Sequence, residues 1–145
     1  MAKVSTYLNF PGNTEAAFQF YSSVFETTFE APGIRRMAEV PTVPGQPAVP
    51  EAEKNRVLHV ALPILGGHVL MGTDTPESMG RPVFGSNMSL NLLPDTRGET
   101  DKLFKRLAEG GKVEMPLMEM FWGDYFGSLV DKFGIQWMFN CSSKT

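Results

Sequence analysis

The stretch YLNFPGNTEAAFQFYSSVF, residues 7–25, predicts a strand, a turn and a helix in immediate succession. Pro11-Gly12 after the short strand is a dipeptide typical of turns, and Asn13 is a residue type that often caps a helix. Apolar side chains then recur at steps of three and four residues, the spacing of one face of an amphipathic helix. They are Ala17, Phe20, Tyr21, Val24 and Phe25.

The second half of the chain repeats this order. A strand is predicted over residues 87–93, where Leu90-Asn91 matches Leu8-Asn9, and a turn follows at Pro94-Asp95. Thr96-Arg-Gly-Glu99 then has the form of a capping box, which opens a second helix. This helix is predicted to end at Gly110-Gly111 and to bury Leu103, Phe104, Leu107 and Ala108.

Residues 57–64 and 68–74 flank Gly66-Gly67 and predict a β-hairpin with a two-residue turn. In that register Leu62 lies opposite Met71 and His59 opposite Asp74. An apolar face is then expected to meet a helix; it consists of Val60, Leu62, Ile64, Val69 and Met71. A mixed face is expected to meet a cavity or solvent; it consists of His59, Ala61, Pro63, Leu70, Gly72 and Asp74.

The remaining pattern completes an α+β fold of two βαβββ modules within one domain of 145 residues. Residues 27–37 are predicted to be extended with an interruption at Pro32-Gly33, and 76–85 to form a loop. Prolines at every third position from Pro41 to Pro50 argue against a central strand, so 38–56 is predicted to be a mobile insertion with polyproline character. Three further strands are predicted at 112–117, 125–131 and 136–140. The modules span about 1–75 and 84–145.

Composition excludes several classes of protein. Thirteen Lys and Arg against sixteen Asp and Glu give a net charge of −3, and no basic cluster suits a nucleic acid. No apolar run approaches the roughly 18 residues of a membrane span, and the N-terminus lacks the apolar region of a signal peptide. Cys141 has no second cysteine to pair with, so we expect a cytoplasmic protein.

No residue pattern demands a metal ion or a nucleophile. The predicted hairpin separates His59 from His68 by roughly 20 Å, too far for one ion, so structural or surface roles are favoured. One histidine combined with Glu114, Glu119 or Asp124 stays open as a site. Neither a G-x-S-x-G motif nor a glycine-rich phosphate loop is present.

Residues 114–127 form the densest unusual stretch, because aromatic and methionine side chains crowd between Met118 and Tyr125 beside two glycines. Flat rings and flexible thioethers next to glycines are suited to lining a ligand pocket. A well-filled core with a dimer contact explains the same composition equally well.

The chain resembles the vicinal oxygen chelate superfamily of glyoxalase and bleomycin-resistance proteins, and more narrowly its PhnB-like branch, which also carries a demethylubiquinone methyltransferase label. The likeness covers nearly everything outside 38–56. It is carried by Tyr7-Leu-Asn-Phe-Pro-Gly-Asn13, Phe20-Tyr-Ser-Ser-Val-Phe25, His59-Val-Ala-Leu-Pro63, Val69-Leu-Met-Gly72, Gly110-Gly-Lys-Val-Glu-Met-Pro116, Phe121-Trp-Gly-Asp-Tyr-Phe-Gly127 and Asp131-Lys-Phe-Gly-Ile-Gln-Trp-Met138.

The resemblance implies curled mixed sheets with helices on the convex side, a ligand cavity on the concave side and a homodimer. Metal-dependent members hold a divalent ion through four ligands. The matching positions here lie near Thr6 or Tyr7, Met71 or Gly72, Asn87, and Trp137 or Met138. Only Asn87 offers a plausible oxygen, whereas such ions need several oxygens or His, Cys and carboxylate ligands. No metal or other cofactor is therefore expected.

The function predicted from this is a metal-free, dimeric cup that binds a small organic molecule, with neither nucleic acid nor membrane as a partner. Trp122, Tyr125 and Trp137 are expected to stack on the ligand, and His59 and Asn87 to orient it. The pocket residues are His59, Met71, Asn87, Trp122, Tyr125, Trp137 and Met138. One alternative is a lyase, isomerase or dioxygenase that uses a metal or acid/base chemistry. The other is a non-catalytic structural or interaction module.

Overall fold

The computed structural model describes every residue from Met1 to Thr145. Its α-helices and strands follow the predicted order, strand, helix and three strands, twice over. The first set is β1 (Thr6–Phe10), α1 (Thr14–Phe25), β2 (Arg35–Arg36), β3 (Val57–Pro63) and β4 (Val69–Asp74). The second set is β5 (Leu90–Leu92), α2 (Arg97–Ala108), β6 (Lys112–Glu119), β7 (Tyr125–Val130) and β8 (Gln136–Cys141). No helix has the length and apolarity needed to cross a membrane.

The chain divides into two compact units, Met1–Pro82 and Val83–Thr145. Each unit contains one four-stranded sheet, in the order β1-β4-β3-β2 in the first and β5-β8-β7-β6 in the second. In both sheets the first strand runs parallel to the last, and the other neighbours are antiparallel. The predicted α+β class with mixed sheets is therefore confirmed, and the two units share one topology.

Helix α1 has the predicted bounds, but its N-terminus is held differently. The Asn13 side chain makes no capping hydrogen bond; instead, the backbone N–H of Thr14 donates to Asp74 Oδ1 at 3.0 Å. A carboxylate is a stronger acceptor than an amide, and β4 brings one to this position. Phe20 and Phe25, which were predicted to lie on the apolar face, are only partly buried, whereas Phe18 is fully buried. The buried residues of the helix are Thr14, Ala17, Phe18, Tyr21 and Val24.

The predicted hairpin register is wrong by one residue. Leu62 pairs with Leu70, and Ala61 pairs with Met71, because three residues, Leu65–Gly67, form the loop. Since side chains alternate along a strand, this slip moves every β4 side chain to the opposite face. Leu70, Gly72 and Asp74 therefore face α1, whereas Val69 and Met71 face away from it.

Gly72 shows why β4 is placed in this way. A Cβ atom at position 72 would lie 2.4 Å from Phe18 Cε1 and 3.1 Å from Thr14 Cγ2. Only a glycine lets the α1 side chains approach the strand so closely, because real Cβ atoms do not approach other atoms to that distance. The helix therefore covers the face of the sheet that carries Gly72.

The second unit is built in the same way. The Thr96 hydroxyl accepts a hydrogen bond from the Glu99 backbone at 3.1 Å, as the capping box predicts. A Cβ atom at Gly127 would lie 2.9 Å from Phe104 Cε2, so α2 packs on the Gly127 face of its sheet. Thr100 is buried there, while Ala108 is only partly covered; the buried helix residues are Thr100, Leu103, Phe104 and Leu107.

Two predicted strands are shorter than expected. Within 27–37 a turn with a hydrogen bond from Gly33 N to Glu30 O lies at the predicted interruption, and only Arg35–Arg36 after it is a strand. Within 87–93 only Leu90–Leu92 is a strand, and Asn87 lies in an exposed loop before it. The insertion 38–56 has no strand and is mostly exposed; its mobility stays a prediction.

Candidate functional site

Each sheet has one face covered by its own α-helix and an opposite face that we call the helix-free face. In the first unit Tyr7 pairs with Met71 across β1 and β4, and Met71 pairs with Ala61 across β4 and β3. His59 lies two residues before Ala61, so it shares that face. The corrected register therefore brings together two predicted site residues, His59 and Met71, which the predicted register had placed on opposite faces.

Tyr7 and His59 form the main polar contact on this face. Tyr7 Oη lies 3.2 Å from His59 Nδ1, and their ring centroids are 5.8 Å apart at a tilt of 37°. Burial raises the pKa of the Tyr7 phenol above its ordinary value of 10.0, while a hydrogen bond with Thr73 acts in the opposite direction. The phenol is therefore protonated at neutral pH and can donate to the imidazole.

The other histidine has a separate partner. His68 Nε2 lies 2.9 Å from Thr6 Oγ1. The predicted pairing of His59 with Asp74 does not occur, because Asp74 points to the α1 side, where its Oδ2 accepts a hydrogen bond from the Val57 backbone at 2.8 Å. The two histidines thus serve two different hydrogen bonds.

In the second unit the helix-free face carries a row of large side chains. Phe126 is flanked by its register partners, Met118 on β6 and Asn140 on β8. The Trp122 ring meets the Phe126 ring edge to face, with the ring centroids 6.3 Å apart. Met138 lies on the same face, two residues before Asn140 on β8. Trp122 and Met118 are both 51% exposed, so this row presents aromatic and thioether surface.

The turn that carries Trp122 is held by three charged side chains, which we call the clasp: Arg97, Glu119 and Lys144. Arg97 donates to Glu119 Oε1 at 2.8 Å. Lys144 Nζ donates to the same oxygen at 3.3 Å and to the Gly123 carbonyl at 2.8 Å. Hydrogen bonds from Arg97 and then Lys144 lower the pKa of Glu119 below its ordinary value of 4.5. The clasp therefore ties the β6–β7 turn to the start of α2 and to the last residues of the chain.

Tyr125 and Trp137 lie on the α2 side of the sheet. They are therefore not on the helix-free face, where stacking on a ligand would require them to be. Tyr125 donates to Asp101 Oδ1 at 2.6 Å, and this hydrogen bond is the main reason that the pKa of Tyr125 is raised. Trp137 is fully buried and its Nε1 donates to Asp131 Oδ2 at 2.8 Å. Alternation along β8 could have indicated the burial of Trp137 from the sequence, because residues 137, 139 and 141 are all apolar and point to the same face.

The structure thus distributes the seven predicted residues over several places. His59 and Met71 share the helix-free face of the first unit; Trp122 and Met138 belong to that of the second. Asn87 is exposed in its loop. Tyr7, Phe126 and Asn140 were not among the predicted pocket residues. The corrected register and strict alternation along β7 and β8 bring them to the helix-free faces.

The positions where the resemblance implies metal ligands do not fit a divalent ion. The Thr6 hydroxyl is engaged with His68, and the Trp137 indole can only donate a hydrogen bond. Across the whole chain, no three His, Cys, Asp or Glu side chains are grouped as metal ligands. Divalent ions need several oxygen, imidazole or thiolate donors, and these residues do not supply them.

The doubled βαβββ topology is that of the glyoxalase/bleomycin resistance fold. The fold recurs in a glyoxalase/bleomycin resistance protein/dioxygenase family enzyme from Burkholderia phytofirmans, with a TM-score of 0.61 at 18% identity over 95% of this chain and 98% of that one. Within this class, the family model described as 3-demethylubiquinone-9 3-methyltransferase matches residues 2–139. The chain belongs to that family.

Three similar proteins extend over nearly the whole chain. The crystal structure of protein PA1353 from Pseudomonas aeruginosa is 32% identical with a TM-score of 0.79, covering 97% of this chain and 98% of that one. A putative 3-demethylubiquinone-9 3-methyltransferase, PhnB protein, from Bacillus cereus is 29% identical with a TM-score of 0.72, covering 97% and 99%. Protein YjdN of Escherichia coli K12 is 29% identical over 144 residues, covering 94% and 93%.

Proposed function

We propose that the protein binds a small, flat organic molecule on the helix-free face of Val83–Thr145. One observation carries the proposal: Met118, Trp122, Phe126 and Met138 expose aromatic and thioether surface side by side on that face. Exposed apolar surface of this kind marks binding sites, and aromatic rings stack on flat guests while methionines adapt to their shape. His59 and Met71 belong to the first unit and stay predictions separate from this face. The proposed location of the protein is the cytoplasm.

A thermal-shift screen of small organic molecules tests this proposal. A ligand present at a hundredfold excess over its Kd stabilises the folded protein by about 2.7 kcal/mol through mass action. Trp122→Ala is expected to abolish the shift. Met79→Ala, which truncates an exposed methionine in a loop of the first unit, is expected to keep it. An unchanged shift in the Trp122→Ala variant would contradict the site.

We propose that binding needs neither a metal nor a cofactor. The side chains at the ligand positions of metal-dependent members are unsuited to a divalent ion, as described above. The family description names a methyl transfer, yet no glycine-rich loop follows a strand to hold a nucleotide-like methyl donor. Elemental analysis of purified protein is expected to find far less than one Ni, Zn, Mn or Fe per chain, and a stoichiometric ion would overturn this part.

We propose that the protein is a homodimer. Large apolar side chains are exposed outside the proposed ligand row, among them Phe121 at 98% and Val83 at 95%, and association would remove them from water. Light scattering coupled to gel filtration is expected to give twice the 16.0 kDa chain mass. A mass of one chain at micromolar concentration would contradict the dimer.

The Tyr7–His59 contact favours a second candidate function, acid/base chemistry at a carbon acid. In such a step the Tyr7 phenol turns from His59 Nδ1 to the substrate oxygen and gives it a proton, and the freed Nδ1 takes the proton from carbon. Deuterium exchange into dihydroxyacetone in D₂O, followed by NMR, tests it. Exchange above buffer that is lost in His59→Gln and Tyr7→Phe would support the candidate, and exchange equal to buffer would contradict it.

A further inference from the structure

We infer that Asn140 makes the helix-free face of the second unit selective for uncharged, flat ligands that carry one N–H or O–H donor. The inference rests on the proposed function, because it names the class of ligand that this face takes. It depends on two independent observations: an unpartnered amide oxygen within the apolar row, and the absence of charge from three strands of the face.

Asn140 supplies the hydrogen-bond acceptor. It lies on β8 opposite Phe126, on the side of the sheet away from α2, because its neighbours Phe139 and Cys141 are buried on the α2 side. Its Oδ1 is shielded from solvent and has no hydrogen-bond partner, although the residue as a whole is partly exposed. An unsatisfied amide oxygen is unfavourable, so turning this oxygen toward a donor, such as the N–H or O–H of a bound ligand, is favourable.

The ligand can reach this oxygen without a change of fold. The terminal torsion of an asparagine side chain has a broad, roughly two-fold profile, so rotation about the Cβ–Cγ bond turns Oδ1 toward the face. Phe126 next to it, with the Trp122 ring at 6.3 Å, offers a stacking surface for the body of the same ligand. One flat molecule can then stack on an aromatic ring and donate to Asn140.

The distribution of charged side chains indicates the second property of the ligand, which is that it carries no charge. Strands β5, β7 and β8 place no charged side chain on the helix-free face, where their residues are Asn91, Phe126, Ser128, Val130, Gln136, Met138 and Asn140. On β6 the face carries Lys112, opposite Val130 and roughly 13 Å along the strands from Phe126. The clasp pairs its own charges, since Glu119 receives hydrogen bonds from both Arg97 and Lys144. A charged ligand seated on Phe126 would therefore lose its hydration without gaining a counter-ion from these three strands.

Isothermal titration calorimetry with three probes tests the inference: indole, benzofuran, which has nearly the same shape without the N–H, and indole-3-acetate, which adds a charge. Wild-type protein is expected to bind indole about two to thirteen times more tightly than benzofuran, the range for one hydrogen bond. Indole-3-acetate is expected to bind more weakly than indole. Asn140→Leu is expected to bind indole and benzofuran equally. Asn9→Leu, which replaces an exposed asparagine of the other unit, is expected to keep the preference.

The outcomes separate this inference from the proposed function. Equal affinities of the wild-type protein for indole and benzofuran, or tighter binding of indole-3-acetate, would overturn the role of Asn140 and of the uncharged face while leaving ligand binding in place. Failure of all three probes to bind would overturn the proposed function as well. The comparison of probes on the wild-type protein decides the matter even where Asn140→Leu does not fold.

Discussion

Asp74 is the residue on which the first unit depends most, because its two carboxylate oxygens join three elements. Oδ1 accepts a hydrogen bond from the backbone of Thr14 at the start of α1, and Oδ2 accepts one from the backbone of Val57 at the start of β3. The side chain is almost fully buried on β4. A buried acceptor of two backbone donors therefore fixes where the helix begins relative to the sheet.

Replacing Asp74 by Asn is expected to destabilise the protein by about 1–3 kcal/mol. The amide keeps one acceptor oxygen but turns an NH₂ group toward the second backbone N–H, which leaves a buried donor without a partner. Urea denaturation followed by circular dichroism measures the loss. Asn55→Asp, an exposed change between the same two residue types, serves as the control, and equal stability of the two variants would contradict this role.

Gly72 permits a second prediction at the residue scale. Gly72→Ala places a Cβ atom 2.4 Å from Phe18 Cε1 and is expected to cost about 1–3 kcal/mol through overpacking. Gly98→Ala in α2 meets nothing within 4 Å and is expected to stabilise the helix by about 0.5–1 kcal/mol. Chemical denaturation of both variants tests the pair, and a neutral Gly72→Ala would show that α1 does not pack as described.

Among the elements, α1 is tied to β2 by an ion pair. The Arg36 guanidinium donates to both oxygens of Glu15, at 2.9 and 3.0 Å, and this hydrogen bonding lowers the pKa of Glu15 below its ordinary value of 4.5. A carboxyl whose folded pKa is lowered adds stability above the unfolded value, and that stability disappears as the pH falls through the folded value.

Glu15→Gln is therefore expected to destabilise the protein at neutral pH, and the loss is expected to shrink as the pH falls below the ordinary value of 4.5. The side chains of the pair are 36% and 39% exposed, so solvent screening limits the neutral-pH loss to less than about 1 kcal/mol. Denaturation midpoints of wild type and variant across this pH range measure the difference. A gap between them that stays constant down to the lowest pH would contradict the ion pair.

The clasp allows a prediction about the β6–β7 turn. Lys144→Met removes the donor to the Gly123 carbonyl, so the turn that carries Trp122 is expected to loosen. Acrylamide quenching of tryptophan fluorescence reports this, because the other tryptophan, Trp137, is fully buried. A steeper quenching slope is expected for Lys144→Met, and Lys144→Arg is expected to restore the wild-type slope. Identical slopes in all three proteins would show that the clasp does not hold the turn.

Helices and strands are easier to predict from the sequence than the register in which strands pair. Hydrophobic spacing over 14–25 and the Thr96 capping box define both helices, because these signals are local. The hairpin register depends on whether Leu65 belongs to the strand or to the loop, and Gly66-Gly67 suits a turn of either length. The Asn13 cap fails for a related reason: Asp74, which replaces it, is sixty residues away in the chain.

For the whole molecule, the doubled βαβββ order follows from the sequence, and the comparisons support the family that the motifs indicate. The candidate site is harder to predict because it depends on side-chain direction. Trp122 and Met138 lie on the helix-free face, but Tyr125 and Trp137 point toward α2. A one-residue error in register or alternation exchanges core and site, so composition alone cannot separate aromatic residues that fill a core from those that bind.

Methyl NMR of protein labelled with ¹³C at the methionine methyl groups tests the central claim most directly. The chain contains nine methionines, of which Met118 and Met138 lie in the proposed ligand row while Met79 and Met88 are exposed in loops. Addition of saturating indole is expected to shift the Met118 and Met138 signals and to leave those of Met79 and Met88 in place. Unchanged Met118 and Met138 signals, or shifts confined to the loop methionines, would contradict binding on the helix-free face.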